Sequence, residues 1–258
     1  MTIHLLQGKR DRLALAIFAA FYVIFGVIIT LAQEVVIYKP NIQDFQSCSG
    51  FENAEKIVTG GTRMYFVESF ASTSTTKIAV LYHGNGGSAC DRAFLTSVFI
   101  NAGYSLLVPE YAGYSNDTVS ATHEALKADV RNVVAYMGEK NYEEVLVVGE
   151  SIGSGFAAYH VSLDAPERLV LLSPFTNLID VAKKHFWYYP VALMVDDAFD
   201  NEELLQSYSG KVLVIHGDAD RVIPVSLGEK LFLSMTAPDR ERLIIPGAGH
   251  NNLFENPS

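Results

Sequence analysis

Five short apolar runs in this chain each stop at a Gly-rich turn, and that repetition constrains the fold more than any other feature. "IAVLY" leads into His83-Gly84-Asn85-Gly86-Gly87, and "LLV" into Pro109-Glu110-Tyr111-Ala112-Gly113-Tyr114. "VLVV" leads into Gly149-Glu150-Ser151-Ile152-Gly153. "VLVI" leads into His216-Gly217-Asp218-Ala219-Asp220, and "LII" into Pro246-Gly247-Ala248-Gly249-His250. "RMYFVES" and "RLVLLSP" add further strand-like runs. Helical segments lie between them. In "HEALKADVRNVVAYMGEK", Leu126, Val130, Val133, Val134 and Met137 share one face. Short apolar strands alternating with helices predict an α/β fold with a mostly parallel, buried sheet flanked by helices. In such sheets chemistry gathers at the carboxyl ends of the strands, where these turns lie.

A different feature precedes them. Residues 13–32, "LALAIFAAFYVIFGVIITLA", carry no charge. Twenty residues at about 1.5 Å rise span about 30 Å, the thickness of a bilayer core. Lys9, Arg10 and Arg12 come before the run, offset in part by Asp11. This bias predicts a single-pass anchor with residues 1–12 cytoplasmic and the remainder extracytoplasmic. A cleaved signal peptide is the rival, with Thr30-Leu31-Ala32 as its cleavage site, but the run is longer than a signal's apolar region. A buried core helix would be striped rather than continuously apolar. Gly26 has only Tyr22 and Thr30 at four-residue spacing, a weak basis for helix pairing. Residues 33–56 read as a linker, because Pro, Asn, Ser and Gly oppose regular structure there. The region of alternating strands and helices then runs over 57–258.

Composition closes off other classes. With 49% hydrophobic residues the chain has enough apolar surface for a large core. A net charge of −10 and no basic stripe speak against nucleic acid as a partner. Cys48 and Cys90 are too few for a metal cluster. A bridge between them is open in an oxidising compartment, although nothing in the sequence draws them together.

Gly149-Glu150-Ser151-Ile152-Gly153 fits G-x-S-x-G, which means little by itself. Its weight comes from its partners. Three strand ends hold Ser, Asp and His in that chain order. With "HGNGG", "PEYAGYS", "GESIGSG", "HGDADRVIP" and "GAGHNNL", residues 57–254 resemble the α/β-hydrolase superfamily. The order of an apolar helix, "YKP" and "HGN" is similar to that of membrane-anchored ABHD-type serine hydrolases.

The resemblance implies hydrolysis of carboxylic esters or thioesters, lipid-linked ones included, with no metal or organic cofactor. Ser151 would be the nucleophile, with Gly149 and Gly153 allowing a tight elbow. His250 would be the general base, and Asp220 the carboxylate that orients it. Backbone N–H groups of Ile152 and Asn85 would form the oxyanion hole. Each role has a plainer rival. Ser151 could merely cap a helix. Asp218 competes with Asp220, but could instead stabilise its own turn. Both His83 and His216 read as structural, bonding loop backbone. His4, His123, His160 and His185 lie outside the motifs and are expected on the surface. Glu110 and Tyr111 either brace the pocket or pack the core.

Residues 175–210 occupy the family's cap position. "HFWYYPVALMV", with Trp187, suits either a short cap contacting an acyl chain or an ordinary connecting helix. Ser115 replaces a turn Gly of the family pattern. After His250 the family continues into a last helix, which "NNLFENPS" resembles at its start. Peptidase, amidase or acyltransferase activity on the same fold is the alternative, as is a non-catalytic membrane-tethered binding protein.

Overall fold

Two helices, α1 (Thr2–Leu31) and the short α2 (Gln33–Ile37), precede an eight-stranded sheet of order β1-β2-β4-β3-β5-β6-β7-β8. The structure, a computed structural model, describes residues 2–69, 76–196 and 199–255, with side chains from residue 11 onward. β1 (Glu55–Thr59) and β2 (Thr62–Val67) form a hairpin through Gly60 and Gly61, both at positive φ. β2 lies antiparallel to β4 (Ser105–Glu110). The pairs that join β4, β3 (Lys77–Tyr82), β5 (Glu144–Glu150), β6 (Arg168–Leu172), β7 (Lys211–Gly217) and β8 (Arg240–Ile245) are all parallel. The strand order reverses at β3, so a crevice opens outside the carboxyl ends of β3 and β5. "HGNGG" and the Ser151 turn both lie there.

Period-two alternation divides the central strands between two cores. Ile78, Val80 and Tyr82 face one cluster, while Ala79 and Leu81 face the other. The first is covered by α4 (His123–Gly138), α5 (Gly153–Leu163) and α8 (Val225–Ser234) through Val130, Val133, Phe156, Ala157, Leu227 and Leu231. α4 starts at Thr122, whose side chain accepts from Ala125 N–H and so satisfies a donor of the first turn. The second face carries α3 (Thr96–Asn101), Phe45, Phe51, Leu95 and Leu253. Between β6 and β7 lie α6 (Leu178–His185) and α7 (Asn201–Leu204).

Several expectations need correction. Residues 33–56 are not a bare linker. They hold α2, and Tyr38, Phe45 and Phe51 are buried because they cover apolar surface that the sheet would otherwise expose. Phe51 stacks on Tyr65 of β2 at 4.6 Å between ring centroids. Cys48 and Cys90 are joined in a disulfide with Cα atoms 5.7 Å apart. β1 begins at Glu55, just ahead of the expected boundary.

His123 and His160 are not surface residues. His160 lies on the buried face of α5 and bonds Tyr82 Oη at 2.8 Å, and burial pushes its pKa down to about 4. His123 is held at 2.7 Å by Tyr38 Oη, and burial lowers its pKa too. His185 is largely exposed, and His4 lies where side chains are not described. Residues 251–255 form turns rather than a helix start, and 256–258 lie outside the described residues.

Candidate active site

β5 ends at Glu150, and α5 begins at Gly153, so the chain must reverse within two residues. It does so with Ser151 at φ +54, a left-handed conformation rare for a residue with a side chain. Its N–H donates to Leu172 O at 2.8 Å, and its own carbonyl accepts from Ser154 N–H at 2.9 Å. Gly149 and Gly153 are required by close approach. A Cβ on Gly153 would lie 2.3 Å from Tyr82 O, and one on Gly149 would lie 2.5 Å from Gly153 O. The side chain of Ser151 is thereby directed at the carboxyl edge of the sheet.

There it meets two partners from later strands. Ser151 Oγ is 2.8 Å from His250 Nε2, and His250 Nδ1 is 2.7 Å from Asp220 Oδ2. The other Asp220 oxygen accepts from the N–H groups of Val222 at 2.9 Å and Ile223 at 2.8 Å. Burial raises the Asp220 pKa, but the bonds from His216, His250 and Ile223 outweigh it and hold the carboxyl well below the usual range. Asp218 turns elsewhere. It is exposed, and its Oδ1 accepts from Gly247 N–H at 2.7 Å, which ties down the loop that delivers His250. His216 donates from Nε2 to Ile223 O at 2.8 Å and lies 3.4 Å from Asp220, a bracing position beside the carboxylate.

Ile152 and Asn85 border the same cavity as Ser151 and His250. Ile152 stands at the first turn of α5, where backbone N–H groups have no helical acceptor. The Asn85 side chain is committed away from the site. Its Oδ1 accepts from Lys39 N–H at 2.8 Å and from Tyr114 Oη at 2.7 Å, and its Nδ2 donates to Ile37 O. What Asn85 can offer the cavity is its main chain. Beneath this loop, His83 packs face to face on Tyr111, whose Oη donates to His83 O at 2.7 Å. Buried Glu110 accepts from Ser115 Oγ at 2.7 Å and from Ala89 N–H at 3.2 Å, with His83 Nε2 at 3.2 Å. Glu110 and Tyr111 thus brace the loop. Ser115 keeps a positive φ of 47°, so the turn is retained without glycine.

The cavity measures about 490 Å³, a size that suits a small organic ligand. Its lining joins three regions that sequence reading had kept apart. Ser151, Ile152 and His250 form the polar end. Phe186, Tyr189 and Met194, from the segment between β6 and β7, contribute one apolar side, whereas Trp187 points outward and is 81% exposed. Phe25, Ile29 and Ile37 of the N-terminal helices supply the other side. Arg92 and Glu150 pair at 2.9 Å on the rim. Phe25, Ile29, Ile37 and Arg92 carry no motif, so only the fold reveals them. Among the described residues, no group of three or more His, Cys, Asp or Glu is arranged to hold a metal.

No protein-family model matches the chain. It is 31% identical over 173 residues to an uncharacterised protein of Mycobacterium tuberculosis, covering 66% of this chain and 61% of that one. It is 28% identical over 206 residues to the lysophosphatidylserine lipase ABHD12 of Macaca fascicularis, covering 72% of this chain and 51% of that one. The chain therefore spans between about half and three-fifths of these relatives' lengths. Among solved structures, it superposes on the ferulic acid complex of Est1E from Butyrivibrio proteoclasticus with a TM-score of 0.64, at 16% identity, covering 78% of this chain and 94% of that one. An esterase of Pyrococcus furiosus gives 0.64 at 14% identity, covering 83% and 90%.

Strand order, elbow and neighbours together define an α/β-hydrolase fold. In sequence the chain is similar to the ABHD12 proteins of several vertebrates.

Proposed function

We propose that this chain is a membrane-anchored serine hydrolase acting on carboxylic esters or thioesters of lipid-like acids. The hydrogen-bonded series from Ser151 Oγ through His250 to Asp220, at 2.8 and 2.7 Å, carries this reading. Ser151 Oγ attacks the carbonyl carbon while His250 Nε2 takes its proton. Asp220 holds His250 in the tautomer that leaves Nε2 free to accept, and stabilises the imidazolium that forms. Main-chain N–H groups of Ile152 and Asn85 receive the oxyanion. His250 then returns the proton to the departing alcohol or thiol, leaving an acyl-Ser151 ester. Water, deprotonated by His250, releases the acid and restores Ser151.

A lipid-like acid is favoured by the apolar sides of the cavity and by the relatives named lysophosphatidylserine lipase, whose substrate is one candidate. Anchoring is supported by the segment Asp11–Leu31, long and apolar enough to cross a membrane, with Leu13, Phe18 and Phe21 more than half exposed. An extracytoplasmic domain accords with the Cys48–Cys90 disulfide, which needs an oxidising compartment, and with Lys9, Arg10 and Arg12 on the near side of the run. The division into anchor, hydrolase domain and cap at 175–210 belongs to the same proposal.

A fluorophosphonate probe tests the mechanism. Labelling is expected for the wild type and absent for Ser151→Ala. A folded wild type that takes up no probe refutes it. The Ser151→Ala outcome also separates this reading from a non-catalytic binding protein.

A further inference from the structure

α1 does more than precede the domain. Tyr22, Phe25, Gly26 and Ile29 of α1, with Gln33 at the start of α2, recur at helical spacing and form the face turned to the cap segment. Tyr22 stacks on Tyr189 with ring centroids 4.4 Å apart, and its Oη donates to Tyr188 O at 2.5 Å. Gln33 Oε1 accepts from Asp196 N–H at 2.8 Å. Gly26 is the point of closest approach. A Cβ there would stand 3.3 Å from Tyr189 Cε1 and 3.6 Å from Met194 Cε.

This contact divides two cavities. On one side lies the cavity of about 490 Å³ that holds Ser151. On the other lies a second of about 350 Å³, bordered by Val23, Val27, Leu31, Pro190 and Leu193. Thr30, Tyr189 and Met194 belong to both walls. The second cavity opens among apolar side chains that face outward, with Leu31 83% and Leu193 87% exposed. Water disfavours such a surface, and hydrocarbon does not. The neighbouring Trp187 and Tyr188 are exposed as well, and suit the interfacial belt of a bilayer. The anchor wall from Phe25 to Ile37 extends for about 18 Å at 1.5 Å per residue, long enough for an extended acyl chain.

We propose that the seam between α1 and the cap at Gly26, Tyr189 and Met194 is the route by which a long-chain acyl ester passes sideways from the bilayer to Ser151. The chain then lies along Phe25, Ile29 and Ile37, so the anchor helix is itself one wall of the acyl site. This rests on the serine-hydrolase and anchoring readings above.

The test uses the full chain in phosphatidylcholine vesicles, with nitrophenyl butyrate and nitrophenyl palmitate as substrates. Ile29→Trp fills the anchor wall, and Met194→Trp blocks the seam. Ile24→Trp, on the outward side of α1 at 55% exposure, is the control. Each of the first two is expected to lower the palmitate-to-butyrate ratio of kcat/KM by about tenfold or more, since each excluded methylene alone costs about tenfold or more. Ile24→Trp is expected to leave the ratio unchanged. An unchanged ratio in Ile29→Trp and Met194→Trp overturns the proposal, as does an equal fall in Ile24→Trp. Fluorophosphonate labelling of each variant reports an intact Ser151. A wild type that labels and cleaves butyrate but not palmitate sinks this inference alone. A wild type that neither labels nor cleaves any ester sinks the hydrolase reading with it.

Discussion

Ser151 occupies a backbone conformation that most side chains avoid, and Gly149 and Gly153 make room for it on either side. The spacing of the two glycines by itself says little, and the elbow became legible only beside the other Gly-rich strand ends that carry Asp220 and His250. The choice between Asp218 and Asp220 was not legible from the strand end itself, since both follow β7 within a few residues. The resemblance to the family pattern favoured Asp220, and in the structure it is Asp220 that meets His250. Asp220→Asn is expected to lower kcat by about 10³–10⁴-fold, because the amide no longer holds the imidazole in its working tautomer. Asp218→Asn should leave kcat near wild type, since the Asn carbonyl can still accept from Gly247 N–H. Equal losses, measured with a soluble ester, would refute the assignment. Burial of His123 and His160 escaped sequence reading, because their partners, Tyr38 and Tyr82, stand 85 and 78 residues away.

At the scale of elements, α4 joins the hairpin and the β4 turn through one buried carboxyl. Asp129 accepts from Thr62 Oγ1 at 2.6 Å and from Ala112 N–H at 2.7 Å. Desolvation outweighs these bonds and pushes its pKa up to about 6. A raised acid pKa means that the folded protein binds the proton more tightly than the unfolded chain. Stability therefore falls as pH rises from about 4 to about 6, by up to about 3 kcal/mol from this group. Asp129→Asn should flatten the stability–pH curve in that window, as read by urea unfolding at a series of pH values. Parallel curves for the two proteins would count against it. Strands and α4 could be read from periodicity, but a carboxyl on the buried edge of α4 follows no period. Its environment comes from strands far off in the chain.

For the molecule as a whole, the Cys48–Cys90 disulfide is the covalent tie between the segment after α2 and the helical turn that follows the "HGNGG" loop. Ile37 and Lys39 bond Asn85, and Pro40 pairs with Gly87, so this segment reinforces the same loop without covalent help. The bridge closes a separation of 42 residues, for which chain entropy gives about 4 kcal/mol. That exceeds the roughly 1.5–3 kcal/mol of one buried aliphatic side chain. The double variant Cys48→Ser, Cys90→Ser should unfold at lower urea by a corresponding margin, followed by circular dichroism in detergent. Identical midpoints would deny the bridge its role.

What the sequence by itself determined were the features that repeat or lie close together along the chain. Alternating short apolar runs pointed to the α/β sheet, an uncharged run to a helix able to cross a bilayer, and the set of Gly-rich turns that close those runs to the elbow at Ser151. Each follows from local geometry, because strand pleat, helix rise and backbone crowding act over a few residues. Only the tertiary structure decided which distant residues meet. It joined Cys48 to Cys90, set Asp129 among hydrogen-bond donors, and laid α1 along the cavity that holds Ser151. Burial and long-range contact depend on how elements pack, and no local pattern in the chain encodes them.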